Sequence, residues 1–122
     1  MAVTNTLLVA LTGATLFTDT DLAATVQGVK ASSGTIYSID IDNTANAAAT
    51  FVKLWNVASG SVTVGTTAPD LIIRIPASVR VPINIPAGLL LDTAISIAAV
   101  TTAGTAGTTG PTSDVIARVV YV

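Results

Sequence analysis

Apolar residues alternate with other residues over two neighbouring stretches near the middle of the chain. Leu71, Ile73 and Ile75 share one face of the first stretch, and residues 79–85 repeat the pattern in the second. Alternation of this length, carried by Ile and Val, predicts two half-buried β-strands. Residues 76–78 between them begin with a proline that favours a tight turn. The two strands are therefore predicted to be antiparallel neighbours in a hairpin.

A second turn signal, the run Pro-Ala-Gly at residues 86–88, follows this hairpin. Beyond it, residues 89–91 and 95–99 continue the apolar pattern on either side of Asp92. The region therefore predicts one β-meander, in which strands that follow each other in the chain also pair in the sheet. Pro82 interrupts the second strand, and proline has no backbone N–H to donate. This strand is predicted to lie at a sheet edge.

Further strands follow from the same periodicity. Residues 37–42 alternate, with the odd-numbered residues apolar and the even-numbered ones polar, as in a strand with one face in water. Residues 50–57 and 115–122 are apolar on both faces, so the first is predicted to be covered on both sides and the second to be a central strand. Residues 19–28 fit a short helix or a strand equally well.

The strand pattern defines the domain organisation. Residues 1–18 have no charged side chain and alternate weakly, which predicts an N-terminal strand or an extended arm lying on another chain. Residues 19–122 carry turn signals roughly every 8–12 residues, which predicts a single all-β domain. We expect an antiparallel β-sandwich, jelly-roll-like, of seven to eight short strands. The Thr/Ala/Gly tract at residues 101–113 is predicted to be a functional or mobile loop.

The composition predicts how the surface is used. Only 10% of the residues are charged and 51% are hydrophobic, whereas a soluble domain has about 25% charged residues. Polar residues interrupt every apolar run, so no transmembrane helix and no membrane partner are predicted. The basic residues are scattered, and no nucleic-acid partner is expected. We expect other protein chains to cover part of this surface, in a homo-oligomer.

The residue types that carry most enzyme chemistry are absent. The chain has no Cys, no His and no Glu, which removes the commonest general base and the commonest metal ligands. We expect no catalytic residue, no cofactor and no metal. Asp19 with Asp21, and Asp40 with Asp42, have the spacing found in calcium loops, but the other ligands of such a loop are missing. We interpret both pairs as solvated polar residues, with helix capping as an alternative for the first pair.

Several short motifs between residues 50 and 122 resemble a known group of proteins. They are Phe51-Val52-Lys53-Leu54-Trp55, Val64-Gly65-Thr66 followed by Pro69, Ile75-Pro76-Ala77, Pro86-Ala87-Gly88-Leu89, Ile95-Ser96-Ile97-Ala98, a Thr/Ala/Gly loop and a final Val-rich strand. Together they resemble small virion structural proteins of tailed bacteriophages, of the capsid decoration or cement type. The resemblance covers about 60% of the chain. It implies a β-sandwich protein, often trimeric, that attaches to the capsid exterior.

Two functional hypotheses follow. The first is a non-enzymatic virion structural protein, made in the host cytoplasm, that bridges and stabilises the major capsid protein subunits. The alternative is a receptor- or glycan-binding module of a phage tail fibre or surface appendage. Aromatic residues are only 4% of the chain, which counts against sugar binding.

The candidate contacts to the coat protein lie in the N-terminal segment, in the strand at residues 50–57 and in the long loop. They are Leu7, Val9, Leu11, Trp55, Thr105 and Thr108. The N-terminal residues could add as a strand to another chain, and the loop could adapt to an uneven surface. Trp55 is weighed as a partner anchor against an equally good interpretation, core filling under a loop.

Overall fold

A computed structural model describes residues 13–122, and they form an antiparallel β-sandwich, as the sequence predicted. The eight strands of this part of the chain are β1 (Thr15–Asp19), β2 (Gln27–Lys30), β3 (Gly34–Asp42), β4 (Thr50–Trp55), β5 (Leu71–Ile75), β6 (Arg80–Leu91), β7 (Ile95–Val100) and β8 (Ile116–Tyr121). A 3₁₀ turn at Ser59–Ser61 lies between β4 and β5. No helix in the described part is long and apolar enough to span a membrane.

The strands form two four-stranded sheets with the connectivity of a jelly roll. Sheet A has the order β1-β8-β3-β6 and sheet B the order β2-β7-β4-β5. Each strand of the first half of the domain pairs antiparallel with its counterpart from the second half: β1 with β8, β2 with β7, β3 with β6 and β4 with β5. This is the pattern of one long hairpin rolled into two sheets, so the jelly-roll-like prediction is confirmed.

The predicted hairpin between residues 71–75 and 79–85 is wrong. Strand β5 pairs with β4 in sheet B, whereas β6 pairs with β3 in sheet A. The link between them crosses from one sheet to the other, and its backbone bonds to a different loop: Ser78 donates its N–H to the carbonyl of Asn46 over 2.9 Å. The short link with a proline was compatible with either connection, because alternation reports which face is apolar but not which strand is the neighbour.

The predicted second turn at residues 86–88 is also wrong, and with it the meander. These residues lie inside β6, where the pairing with β3 shifts between Ile36 and Ser38, so the extra residues bulge from the edge instead of reversing the chain. Gly88 has a φ of +78°, and a Cβ there would collide with the side chain of Thr35. The glycine is therefore required by its positive φ and by the close approach of β6 to the neighbouring strand β3.

Three other predictions about strand position are confirmed. Strand β6, which contains Pro82, is the outer strand of sheet A. Strand β8 lies between β1 and β3 and is central. Strand β4 lies between β7 and β5, and its residues from Val52 to Trp55 are all buried.

The structure corrects three details in the first third of the chain. Tyr37 was assigned to the buried face of its strand, but the irregularity in β3 places Ile36 in the core and leaves Tyr37 half-buried. Residues 20–26 contain no helix, and β2 begins only at Gln27. The predicted boundary after residue 18 falls inside β1, so the sandwich begins before residue 19. Residues 1–12 of the N-terminal strand or arm predicted for residues 1–18 lie outside the described residues.

The core fills the space between the two sheets. It consists of fully buried aliphatic side chains from both sheets, among them Ile36, Ile39, Ile41, Val52, Leu54, Ile75, Ile95, Ile97, Ala117 and Val119. Burial of this aliphatic surface stabilises the sandwich by roughly 25 cal/mol for each Å² removed from water.

Candidate interaction surfaces

The two sheets differ on the faces that point away from the core. The outer face of sheet B, here called the covered face, lies under two loops of the same chain, residues 56–70 and 101–113, which we call the cover. The outer face of sheet A, the open face, presents half-buried and exposed side chains of β1, β8, β3 and β6. The predicted contact residues that the structure describes all lie on the covered side. Leu7, Val9 and Leu11 lie outside the described residues.

Trp55 is inside the protein and does not reach the surface. Its side chain is 0% exposed, and its indole N–H donates to the carbonyl of Thr67 in the cover over 3.0 Å. Its neighbour across the sheet is the buried Ser96, whose hydroxyl donates to Val57, also in the cover. Trp55 therefore fills the interior under a loop, as the second interpretation predicted. The prediction that it anchors a partner is wrong, because its side chain is not exposed.

Lys53 is the second buried residue on the covered face, and the sequence did not single it out. Its side chain is fully buried, and its ammonium donates to the carbonyls of Thr105 and Gly107 over 3.1 and 3.0 Å. Among residues 13–122 no carboxylate lies within ion-pair distance of this ammonium. Burial disfavours the charged form and lowers the pKa of Lys53. The signal in the sequence was a lone charge in an apolar strand, on the same face as Trp55.

The loop at residues 101–113 is held against sheet B by these contacts, and its prediction as a functional or mobile loop stays a prediction. Its two ends meet where Thr101 donates its N–H to Thr109 over 2.9 Å. Gly65, with a φ of +94°, has no room for a Cβ beside Thr108, so the two halves of the cover pack closely. The side chain of Thr108 is exposed and that of Thr105 is half-buried. The entropy of ordering this loop is lost on folding and not on binding.

Two buried asparagines between β3 and β4 bond to distant segments of the chain. Asn43 donates to the carbonyls of Ala48 and Pro76, and accepts from the hydroxyl of Thr50. Asn46 exchanges two hydrogen bonds with the backbone of Ser113, of 3.1 and 2.9 Å. In the sequence they are two Asn among Ala and Thr between two predicted strands, and no local pattern indicates their role. Their role depends on partners more than thirty residues away in the chain.

The open face carries a row of opposite charges across its strands. Asp40 of β3 lies opposite Arg118 of β8, and its carboxylate accepts from the guanidinium of Arg80. The hydrogen bonds from Arg80 lower the pKa of Asp40. Asp42 is bound by its neighbour, because its carboxylate accepts from both the N–H and the hydroxyl of Thr44. The interpretation of these carboxylates as solvated polar residues remains a prediction.

Apolar side chains occupy the other end of the open face. Leu16 is 58% exposed, Leu90 is 61% exposed and Val122 is 42% exposed. The strand pairing places these side chains across the same end of the sheet. Leu16 lies opposite Val120, and Thr35 lies between Val122 and Leu90. A patch of neighbouring apolar side chains is a candidate surface for contact with another protein.

The other predicted pair of carboxylates lies at the end of β1. Asp19 accepts from the backbone N–H of Asp21 over 3.0 Å, and both line a hollow of about 270 Å³. Partial burial raises the pKa of Asp19. The helix-capping alternative is wrong, since the chain after Asp21 bonds to Val115 and forms no helix. Among residues 13–122 no cluster of three potential metal ligands occurs.

Comparison with known proteins adds no assignment. The chain matches no protein-family model and no curated protein sequence.

Proposed function

We propose that this protein is a non-enzymatic virion structural protein, a capsid decoration or cement protein that bridges and stabilises subunits of the major capsid protein on the capsid exterior. One observation carries the proposal. The open face is the outer face of a four-stranded sheet, and it exposes Leu16, Leu90 and Val122 in a chain of which only 10% is charged. Such a surface suits lasting contact with another protein.

Two further arguments support this proposal. The short motifs between residues 50 and 122 resemble phage virion proteins, and jelly rolls occur in viral capsid proteins. The same architecture also occurs in lectin domains, so it supports the proposal only by analogy. The tail-fibre alternative receives less support, because Trp55 is buried and cannot stack on a sugar ring.

Copy number in purified particles tests the proposal. A decoration protein occurs in hundreds of copies for each particle, and a tail-fibre module occurs in a few. Quantitative mass spectrometry with the major capsid protein as internal standard measures this ratio. A ratio in the range of tail proteins would contradict the decoration role and favour the alternative.

The proposed contact sites need separate tests. Deletion of residues 2–12, which contain Leu7, Val9 and Leu11, is expected to abolish binding to particles while the sandwich still folds. Unchanged occupancy would contradict the arm. Shortening the loop at residues 101–113 would remove the acceptors of Lys53, so single substitutions are better there. Thr108→Asp changes an exposed side chain and is expected to weaken particle binding only moderately.

The oligomeric state is part of the proposal. We propose a homo-oligomer with a three-fold contact, because a chain with only 10% charged residues leaves apolar patches larger than those that monomers usually expose. Sedimentation of the isolated protein measures its mass. A stable monomer at micromolar concentration would contradict this part.

A further inference from the structure

Three outer strands of the two sheets, β6, β2 and β5, are not equally protected against pairing with another chain. An edge strand presents unpaired N–H and C=O groups, and proteins usually block them with prolines, bulges or charges. Strand β6 carries Pro82 and Pro86 and is irregular. Strand β2 is four residues long, has an irregularity after Gly28, and packs there against Ser59.

Strand β5 has only one of these protections, the charged side chain of Arg74. It pairs only with β4 among the described strands, and its five residues, Leu-Ile-Ile-Arg-Ile, include no proline and no bulge. Leu71 lies opposite the buried Leu54, so it faces the core side of the sheet, yet it is 37% exposed. A neighbouring strand is what would cover it.

The sequence of this edge is complementary to itself. When two copies of β5 run antiparallel with Ile72 opposite Ile72, Asp70 of each copy lies opposite Arg74 of the other. Leu71 then lies opposite Ile73 on the core side. Opposite charges and large aliphatic side chains directly across from each other are both favourable cross-strand pairs.

The two charged groups are available for such pairing. Both Asp70 and Arg74 are exposed, and in the described part of the chain neither forms an ion pair. The Asp70 carboxylate accepts one hydrogen bond, from the N–H of Asn56, which leaves its second oxygen free for a guanidinium.

We propose that two copies of this chain associate through β5 about a two-fold axis, which joins their B sheets into one eight-stranded sheet. The partner is a second copy because the charge pattern is matched by its own antiparallel image, as a two-fold interface requires. This inference does not depend on the proposed function. With the three-fold contact proposed above it gives a hexamer, and without that contact it gives a dimer.

Exchange of the two charges tests the proposal. Arg74→Asp places two carboxylates opposite each other at each pair, and Asp70→Arg places two guanidinium groups there. Each variant alone is expected to have half the mass of the wild type by sedimentation at the same concentration. An equimolar mixture of the two variants is expected to regain the full mass, because every pair between unlike copies is again Asp opposite Arg.

Two further variants complete the test. Asp21→Arg changes the net charge like Asp70→Arg, but lies between β1 and β2, and is expected to leave the mass unchanged. The double variant D70R/R74D restores the pairing of opposite charges between two identical copies and is expected to have the full wild-type mass. It separates loss of the contact from poor folding of D70R alone. A wild-type mass of one or three chains would overturn the two-fold contact, and so would single variants of unchanged mass or a mixture that stays at half mass. A trimer would leave the proposed function intact.

Discussion

The covered face and the open face use the same strand alternation for different purposes. On the covered face, β4 turns Lys53 and Trp55 outward into contact with loops of the same chain, and both side chains are fully buried. On the open face, β3 turns Asp40 outward towards Arg80, and Leu16 and Leu90 remain exposed. One face is a second, partly polar core, and the other is surface.

The difference shows where stability and binding are separated. Groups under the cover bond to backbone atoms of distant loops, so they hold the tertiary structure together. Groups on the open face bond to near neighbours in the sheet or to none. Substitutions on the covered face should therefore change the free energy of unfolding, and substitutions on the open face should change association.

The largest effect is expected for Trp55→Ala. Removing a fully buried indole and its hydrogen bond to Thr67 leaves a cavity and an unpaired carbonyl, and should cost about 3–5 kcal/mol of unfolding free energy. Leu16→Ala on the open face is the control and should cost within about 0.5 kcal/mol, provided that the protein is monomeric in the assay. Urea unfolding followed by circular dichroism measures both. Equal costs for the two variants would contradict the distinction between the faces.

The second-largest effect is expected for Asn46, which anchors the cover through two hydrogen bonds to the backbone of Ser113. Asn46→Ala removes both hydrogen bonds to the backbone of Ser113 and should cost about 1–3 kcal/mol, because buried polar groups then lose their partners. Asn84→Ala is the matched control, since Asn84 is exposed on β6. Urea unfolding compares the variants. If Asn46→Ala behaved like Asn84→Ala, the anchor role would be wrong.

The faces of the strands could be predicted from the sequence because a sandwich imposes a period of two on side chains that alternate between core and exterior. Residues 71–75 and 79–85 were assigned correctly as strands for this reason. Their partners could not be predicted, because in a jelly roll a strand pairs with one far along the chain, as β1 does with β8. A proline in a short link, such as Pro76, permits both a hairpin and a crossing between sheets.

The candidate surface was predictable only in part for a related reason. Low charge indicated that partners cover some surface, but not which surface. Trp55 and Lys53 lie in one strand, yet what buries them comes from Thr67 and from the loop that contains Thr105. The loop that covers Trp55 is 12 residues further along the chain, and the loop that covers Lys53 is 52 residues further along. Segments this distant leave no pattern in the sequence of the strand itself.

The third prediction uses the pH dependence of Lys53. Because burial lowers its pKa in the folded state, the unfolded chain binds more protons between that lowered pKa and the ordinary value near 10. Folding stability contributed by Lys53 should therefore rise with pH in that window. Relative to Lys53→Met, the wild type should gain stability as the pH is raised from neutral towards about 10, by less than the effects above. Lys30→Met controls for the loss of one positive charge.

Measurement of urea midpoints at several pH values gives this difference. Hydrogen exchange adds a local readout, because Lys53→Met removes the donor that holds Thr105 and Gly107. The amide of Thr101, which donates to Thr109 at the base of the same loop, should exchange faster in the variant. Unchanged exchange at Thr101, with a difference in stability that is flat in pH, would show that the ammonium does not hold the loop.

The smallest effect is expected on the open face, for Asp40→Asn. Hydrogen bonds from Arg80 hold the pKa of Asp40 below its ordinary value, so the stability that this carboxylate contributes is present above the ordinary pKa of about 4 and is lost as the pH falls through the lowered one. The wild type should therefore have a slightly higher urea midpoint than Asp40→Asn at neutral pH, and the two should converge in acid. Because the guanidinium is exposed, added salt should reduce the neutral difference. A difference that persisted both in acid and at high salt would mean that Asp40 stabilises the sheet by packing, and that the open face resembles the covered face more than its exposure indicates.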